Sequence, residues 1–174
     1  MKLLLDNNIL IQILAPSAQG LTDPTTKEQL DRVAERAKAL VDEVERTGAL
    51  LVIPAPVLSE FLMGVAAEQF QRYLDTLYGS ACFEIVDFDT MAAIECAKLP
   101  TRQELARIAP NQLASKLKYD RQIVAIALAA GVDEIWTHDN SLGQIATTKG
   151  MVVKSLADIE PAAVQNPLFT DDTE

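Results

Sequence analysis

Residues 118–141, KYDRQIVAIALAAGVDEIWTHDNS, decide the fold of this chain. Asp120 is followed by the apolar run Ile123 to Val132, and EIWT at 134–137 comes directly afterwards. The run reads as a helix buried on nearly all sides and stopped at Gly131, and EIWT as a buried strand. A helix feeding a strand through so short a turn is the building unit of a parallel sheet. A carboxylate stands at each end of this unit: Asp120 at the start of the helix and Asp139 just past the strand. Either they are solvated caps, or they converge on something positively charged.

The rest of the chain repeats the alternation. KLLL at 2–5 reads as a short buried strand ending in the turn formers Asp6, Asn7 and Asn8, and a short helix and a loop with Pro16, Gly20 and Pro24 follow. From Thr26 to about Thr47, apolar residues recur at Leu30, Val33, Ala37, Leu40 and Val44. This spacing predicts one amphipathic helix, with Thr25 and Glu28 as a capping box and Gly48 as the stop. ALLVIP is a second strand, and the segment 56–79 is one or two helices carrying Glu60 in the first. FEIVDF is a third strand, and Asp89 caps the helix after it. The stretch 100–118 reads as helix, break at Pro110, and helix again; SLGQIATTKG gives a short helix and MVVKS a fifth strand.

This order predicts an α/β protein, a three-layer α/β/α sandwich around a parallel sheet of about five strands. No repeat or linker divides it. The expected organisation is one domain over 1–158, with a helical insertion at 15–48, and an aperiodic tail at 159–174 suited to mobility or to binding a partner.

Composition narrows the function. At 174 residues, with 49% hydrophobic and 23% charged, the chain has the size and balance of one globular domain. Cys82 and Cys96 lack metal or redox spacing and read as free thiols in a reducing compartment. Asp6, Asn7 and Asn8 interrupt what would be a signal-peptide core, and the longest apolar run falls short of the ~20 residues of a membrane helix. A cytoplasmic protein without a membrane partner is expected. The net charge of −10 argues against a bulk electrostatic grip on nucleic acid. It leaves room for a nucleic-acid enzyme whose acids gather around a bound cation.

Sites on open α/β sheets form at the carboxyl ends of the strands, where strand order reverses. Asp6 ends the first strand, Asp139 follows the fourth, and Glu60 lies on the helix leaving the second. Asp120, at a helix start, reads on its own as a plain cap, a reading that weakens once the acids are taken together. Two carboxylates ~4 Å apart repel by roughly 4 kcal/mol at an effective dielectric near 20, so such a cluster calls for a neutralising cation. All-oxygen ligands select Mg²⁺ or Mn²⁺, and with His138 as the one histidine a zinc site has no support. Lys116, Lys118 and Arg121 flank Asp120 and read either as phosphate contacts or as a solvated basic face. Tyr119 and Trp136 are the aromatics near these motifs, Trp136 reading as core.

Four motifs, LLLDNNILI at 3–11, PAPVLSEFLMG at 54–64, KYDRQIVAIALAAG at 118–131 and IWTHDNSL at 135–142, together resemble the PIN domain, the fold of VapC-type toxins and related RNA-cleaving enzymes. The resemblance spans residues 2 to about 155. It implies that Asp6, Glu60, Asp120 and Asp139 form an acidic quartet, with Asp6, Asp120 and Asp139 on Mg²⁺ or Mn²⁺. It further implies supporting roles for Asn8, Thr137 and Ser141. Asn7 stands where Thr is common in the family and Leu142 where an aromatic is frequent, and neither change removes a ligand. The long insertion sets this chain apart from the small toxins and bears on the toxin role more than on the chemistry.

The function implied is a metal-dependent endoribonuclease acting by water attack, with RNA as substrate and with an antitoxin protein and a homodimer as further partners. A non-catalytic PIN-like module that binds protein or RNA is the alternative. It predicts weak metal affinity and a gain in stability on neutralising an acid. A phosphatase with an aspartyl nucleophile is a third reading, disfavoured because Asn8 breaks the D-x-D pattern.

Overall fold

A computed structural model of the chain describes residues 1–16, 20–108 and 113–162. The strands are β1 (Lys2–Leu5), β2 (Leu50–Pro54), β3 (Phe83–Val86), β4 (Glu134–Trp136) and β5 (Val152–Lys154). They form one sheet in the order β3-β2-β1-β4-β5, with every pairing parallel. The chain therefore winds outward one way from β1 through β2 to β3, then crosses back to lay β4 on the other side of β1. That reversal is the switch point.

The helices are α1 (Asn7–Leu14), α2 (Val33–Thr47), α3 (Ala55–Met63), α4 (Phe70–Gly79), α5 (Thr90–Ala97), α6 (Arg102–Ile108), α7 (Ala114–Ala129) and α8 (Asn140–Thr147). The central strands are apolar without alternation because both faces are covered: Leu3, Leu4, Leu5, Leu51, Val52, Ile53 and Ile135 are all buried. Ile9, Leu40, Val57, Val124 and Ile145 from the helices complete the core. The α/β sandwich with a five-stranded parallel sheet is as the sequence predicts. Among the described residues, no helix is long and apolar enough to cross a membrane. Cys82 and Cys96 are free.

Two boundaries differ from expectation, each for a local reason. The helix predicted from Thr26 begins only at Val33. Asp23 Oδ1 accepts from the amides of Thr25 and Thr26, and Lys27 and Arg32 adopt left-handed backbone, so the chain makes a turn and an antiparallel bridge between Thr22 and Gln29. Asp23 thus caps this turn in place of the predicted Thr25–Glu28 box, and Arg32 stands at the N-cap of α2 with no side-chain capping bond. Gly48 ends α2 with φ +67°, as its sequence position suggests.

The second difference concerns Asp120, which does not start a helix. α7 runs unbroken from Ala114, with Leu113 at its N-cap, and Asp120 lies well inside it. Leu117 is buried and extends the inner face of α7 back towards its start, so packing continues the helix through the polar stretch that reads as a separate segment. Pro110, the predicted break, lies outside the described residues. Most of the predicted tail, 163–174, lies outside them also. The residues before it run along α2: Arg36 donates to the Ile159 carbonyl at 2.6 Å, and Arg32 to that of Ala162 at 2.7 Å.

Candidate acidic site at the carboxyl edge of the sheet

β1 and β4 pair Leu5 with Trp136, and the Asp6 amide then donates to the Trp136 carbonyl at 3.0 Å. Asp6 is therefore the first residue beyond the sheet, and Thr137 to Asp139 leave from the adjoining strand. Asp6 also caps α1, its Oδ1 accepting from the Asn7 amide at 2.7 Å. Its Oδ2 accepts from Thr137 Oγ1 and from Asn8 Nδ2, both at 2.6 Å. Asn8 Oδ1 in turn accepts the His138 amide at 3.0 Å. Asn8 and Thr137 thus tie the two strand ends together.

Asp139 caps α8, its Oδ1 accepting from the Ser141 amide at 2.7 Å. Its Oδ2 meets the Lys116 ammonium. Asp120 is 5% exposed and faces the same space from α7, with Ser141 Oγ donating to its Oδ2 at 2.8 Å. Glu60, exposed on α3, completes the rim. Asp6, Glu60, Asp120 and Asp139 line one cleft of about 510 Å³ together with Asn7, Asn8, Ile11, Met63, Lys116 and Tyr119.

The electrostatics follow from this packing. Burial raises the Asp6 carboxyl above the usual range against the Thr137 and Asn7 hydrogen bonds, and the charges of Asp139 and Glu60 add to the rise. Burial pushes Asp120 up to about 6, helped by Asp139 and Asp6 and opposed by Ser141 and Lys116. Burial alone would lower the Lys116 ammonium, but Asp139, Asp120 and Asp6 hold it above the usual lysine range. These acids are held at a cost that a cation would relieve.

Among the described residues, no three acids stand close enough together to enclose an ion as placed. The chemistry of the donor set nonetheless fits a hard divalent cation: carboxylates that raise one another's affinity for a positive charge, and no histidine or thiol lining the cleft. Asn7 adds a buried side-chain oxygen with no hydrogen-bond donor. Sequence reasoning passed over Asn7 as a departure from family pattern; its signal was three consecutive oxygen-bearing side chains at a strand end.

Arg121 departs from both of its sequence readings, Lys118 fits the solvated one, and His138 is drawn into the fold. Arg121 is not brought to the cleft: its guanidinium donates to the carbonyls of Cys96, Leu99 and Pro100 at the end of α5. Lys118 is exposed and does not line the cleft. His138 Nδ1 lies 2.9 Å from the Thr22 carbonyl, and its Nε2 accepts the Leu156 amide at 3.1 Å. That pairing fixes a neutral ring protonated at Nδ1, and burial holds the imidazole pKa below its usual value. Trp136 is buried, as expected of core.

Among curated proteins, none matches this chain. Solved structures that share its fold include three of VapBC proteins. The structure of VapBC2 from Rickettsia felis bound to a promoter DNA fragment is 18% identical with a TM-score of 0.58, covering 89% of this chain and 98% of that one. VapBC-1 from nontypeable Haemophilus influenzae is 15% identical with a TM-score of 0.58, covering 91% and 100%. DNA-bound VapBC from Salmonella typhimurium is 21% identical with a TM-score of 0.53, covering 90% and 98%. The family model of the PIN domain matches residues 3–147, most of the chain and all four cleft acids. The chain belongs to the PIN domain family.

Proposed function

We propose that this protein is a Mg²⁺- or Mn²⁺-dependent endoribonuclease of the VapC type, hydrolysing RNA phosphodiester bonds by water attack and leaving a 5′-phosphate. The observation that carries the reading is the convergence of Asp6, Asp120 and Asp139 at the sheet's switch point, with Asp120 pushed up to about 6. PIN domains are typically nucleases and generally use divalent metal ions, which supports the same conclusion.

Asp6, Asp120 and Asp139 would hold the metal. When bound, it would supply a water of lowered pKa and neutralise charge on the phosphate. Asn8 and Thr137 keep Asp6 in one rotamer, and Ser141 does the same for Asp120. Glu60, on the open rim, orients the attacking water. Lys116 and Lys118 on α7 meet the phosphates. Tyr119, 46% exposed, offers a face on which a base can stack.

An antitoxin protein is the proposed partner, a reading supported by fold neighbours that are VapBC complexes. A homodimer is proposed as well: Met91 and Ile94 stand exposed one turn apart on α5. Light scattering on the purified chain tests it, and a monomer at micromolar concentration rejects it.

One observation favours the non-catalytic alternative, that Lys116 already neutralises Asp139. The deciding experiment is cleavage of a mixed RNA pool by wild type and Asp6→Asn, with Mg²⁺, Mn²⁺ or EDTA and with product ends mapped. Cleavage that needs metal, is lost in the mutant and leaves 5′-phosphates is expected. Folded proteins that cut nothing in any metal would favour the binding module.

A further inference from the structure

Among the described residues, Lys116 is the one basic side chain lining the acid cleft. Its ammonium lies on Asp139 Oδ2 and also feels the charges of Asp120 and Asp6. Asp139 Oδ1 is committed to capping α8, so Oδ2 is the oxygen left to face a ligand. Both Asp6 oxygens already accept hydrogen bonds, and Asp120 Oδ2 accepts one from Ser141. A cation drawing on Asp139 therefore meets Lys116 first.

We propose that Lys116 is a resident counter-ion, holding Asp139 in the metal-free protein and exchanged for the divalent cation when that cation binds. The proposal rests on the metal-site reading above and adds a competitor to it. A lysine suits such an exchange: its ammonium is a compact point charge on a four-carbon stem that can swing away without unfolding its helix. At 40% side-chain exposure, Lys116 has a route to solvent. Once displaced, it stands at the cleft mouth as a free cation for an RNA phosphate. Metal loading and RNA binding then favour each other by linkage.

The test is calorimetric titration of the full chain with Mn²⁺, without RNA and at fixed ionic strength, for wild type, Lys116→Met and Lys116→Arg. Lys116→Met is expected to bind Mn²⁺ about three- to tenfold tighter, the scale of one partly exposed ion pair, and to melt at a lower temperature than wild type in EDTA. Lys116→Arg keeps the competing charge and is expected to stay near wild type. Lys116→Gln serves the same comparison should methionine disturb the fold. Equal or weaker Mn²⁺ binding without the lysine charge overturns the counter-ion role and leaves the metal site standing. Absence of Mn²⁺ binding in every variant overturns both.

Discussion

Thr137 donates its hydroxyl to Asp6 Oδ2 at 2.6 Å and accepts the Asp139 amide at 2.8 Å, so one buried side chain joins two cleft acids from neighbouring strands. Removing that hydroxyl leaves a buried carboxylate oxygen short of a donor. Thr137→Val is expected to lose about 1–3 kcal/mol of stability in urea denaturation, and Thr137→Ser to retain most of it. An unchanged midpoint in Thr137→Val would show that Asn8 alone suffices for Asp6.

Asp120 sets a pH dependence whose sign follows from its shift. The folded-state pKa, about 6, lies above the ordinary 3.8, so the folded protein holds this proton more tightly than the unfolded chain does. The contribution to stability is fully present below pH ~4 and is lost as pH rises through ~6. In EDTA, Asp120→Asn is expected to be more stable than wild type at pH 8, by up to about 3 kcal/mol, and equal to it at pH 4. Burial and the neighbouring carboxylates of Asp139 and Asp6 produce that gain, so stabilisation without metal does not by itself favour a binding module. Repeating the comparison in saturating Mg²⁺ separates the readings: a metal enzyme narrows or reverses the difference, and a metal-free module leaves it unchanged.

His138 has the opposite sign. Its pKa is lowered from 6.5 by burial, so its contribution is complete above that value and is lost as pH falls through the lower folded value. Because the ring joins Thr22 to Leu156, His138→Ala is expected to cost about 1–3 kcal/mol and to speed hydrogen exchange at the Leu156 amide. Unchanged exchange there would mean that the amide is protected by other contacts.

Arg121 and Lys118 are near neighbours on α7 with different duties. Arg121→Met deprives three carbonyls of a charged donor and is expected to destabilise by about 2–3 kcal/mol. Lys118 is exposed and meets no side-chain partner among the described residues, so Lys118→Met is expected to move stability by less than about 0.5 kcal/mol. In Asp6→Asn protein, which is expected to bind RNA without cutting it, the salt dependence of RNA affinity should shrink for Lys118→Met and stay unchanged for Arg121→Met. The reverse pattern would return Arg121 to the substrate surface.

Much of the architecture could be read from local pattern. KLLL, LLVIP and EIW are short apolar runs bounded by turn formers, and in a parallel sheet covered on both faces that is what a strand looks like. The positions of Asp6 and Asp139 followed from the rule that strand ends carry sites. Where prediction slipped, a local competitor had been overlooked. Asp23 diverted the backbone before α2, and Leu117 joined the helix read before Asp120 to the one read after it as a single α7.

The sequence by itself determined the parallel α/β sheet, its five strands and the residue types able to hold a hard cation, because periodicity and strand-end chemistry are written within a few residues of one another. Only the tertiary structure decided that Asp120 is a buried carboxylate deep in a helix and not a cap, that Lys116 closes on Asp139, that Arg121 turns away to α5, and that His138 is a neutral clip. Those outcomes depend on which way a side chain points once distant segments have packed. Thr22 and His138 are separated by 116 residues, and no local pattern encodes a hydrogen bond across that distance.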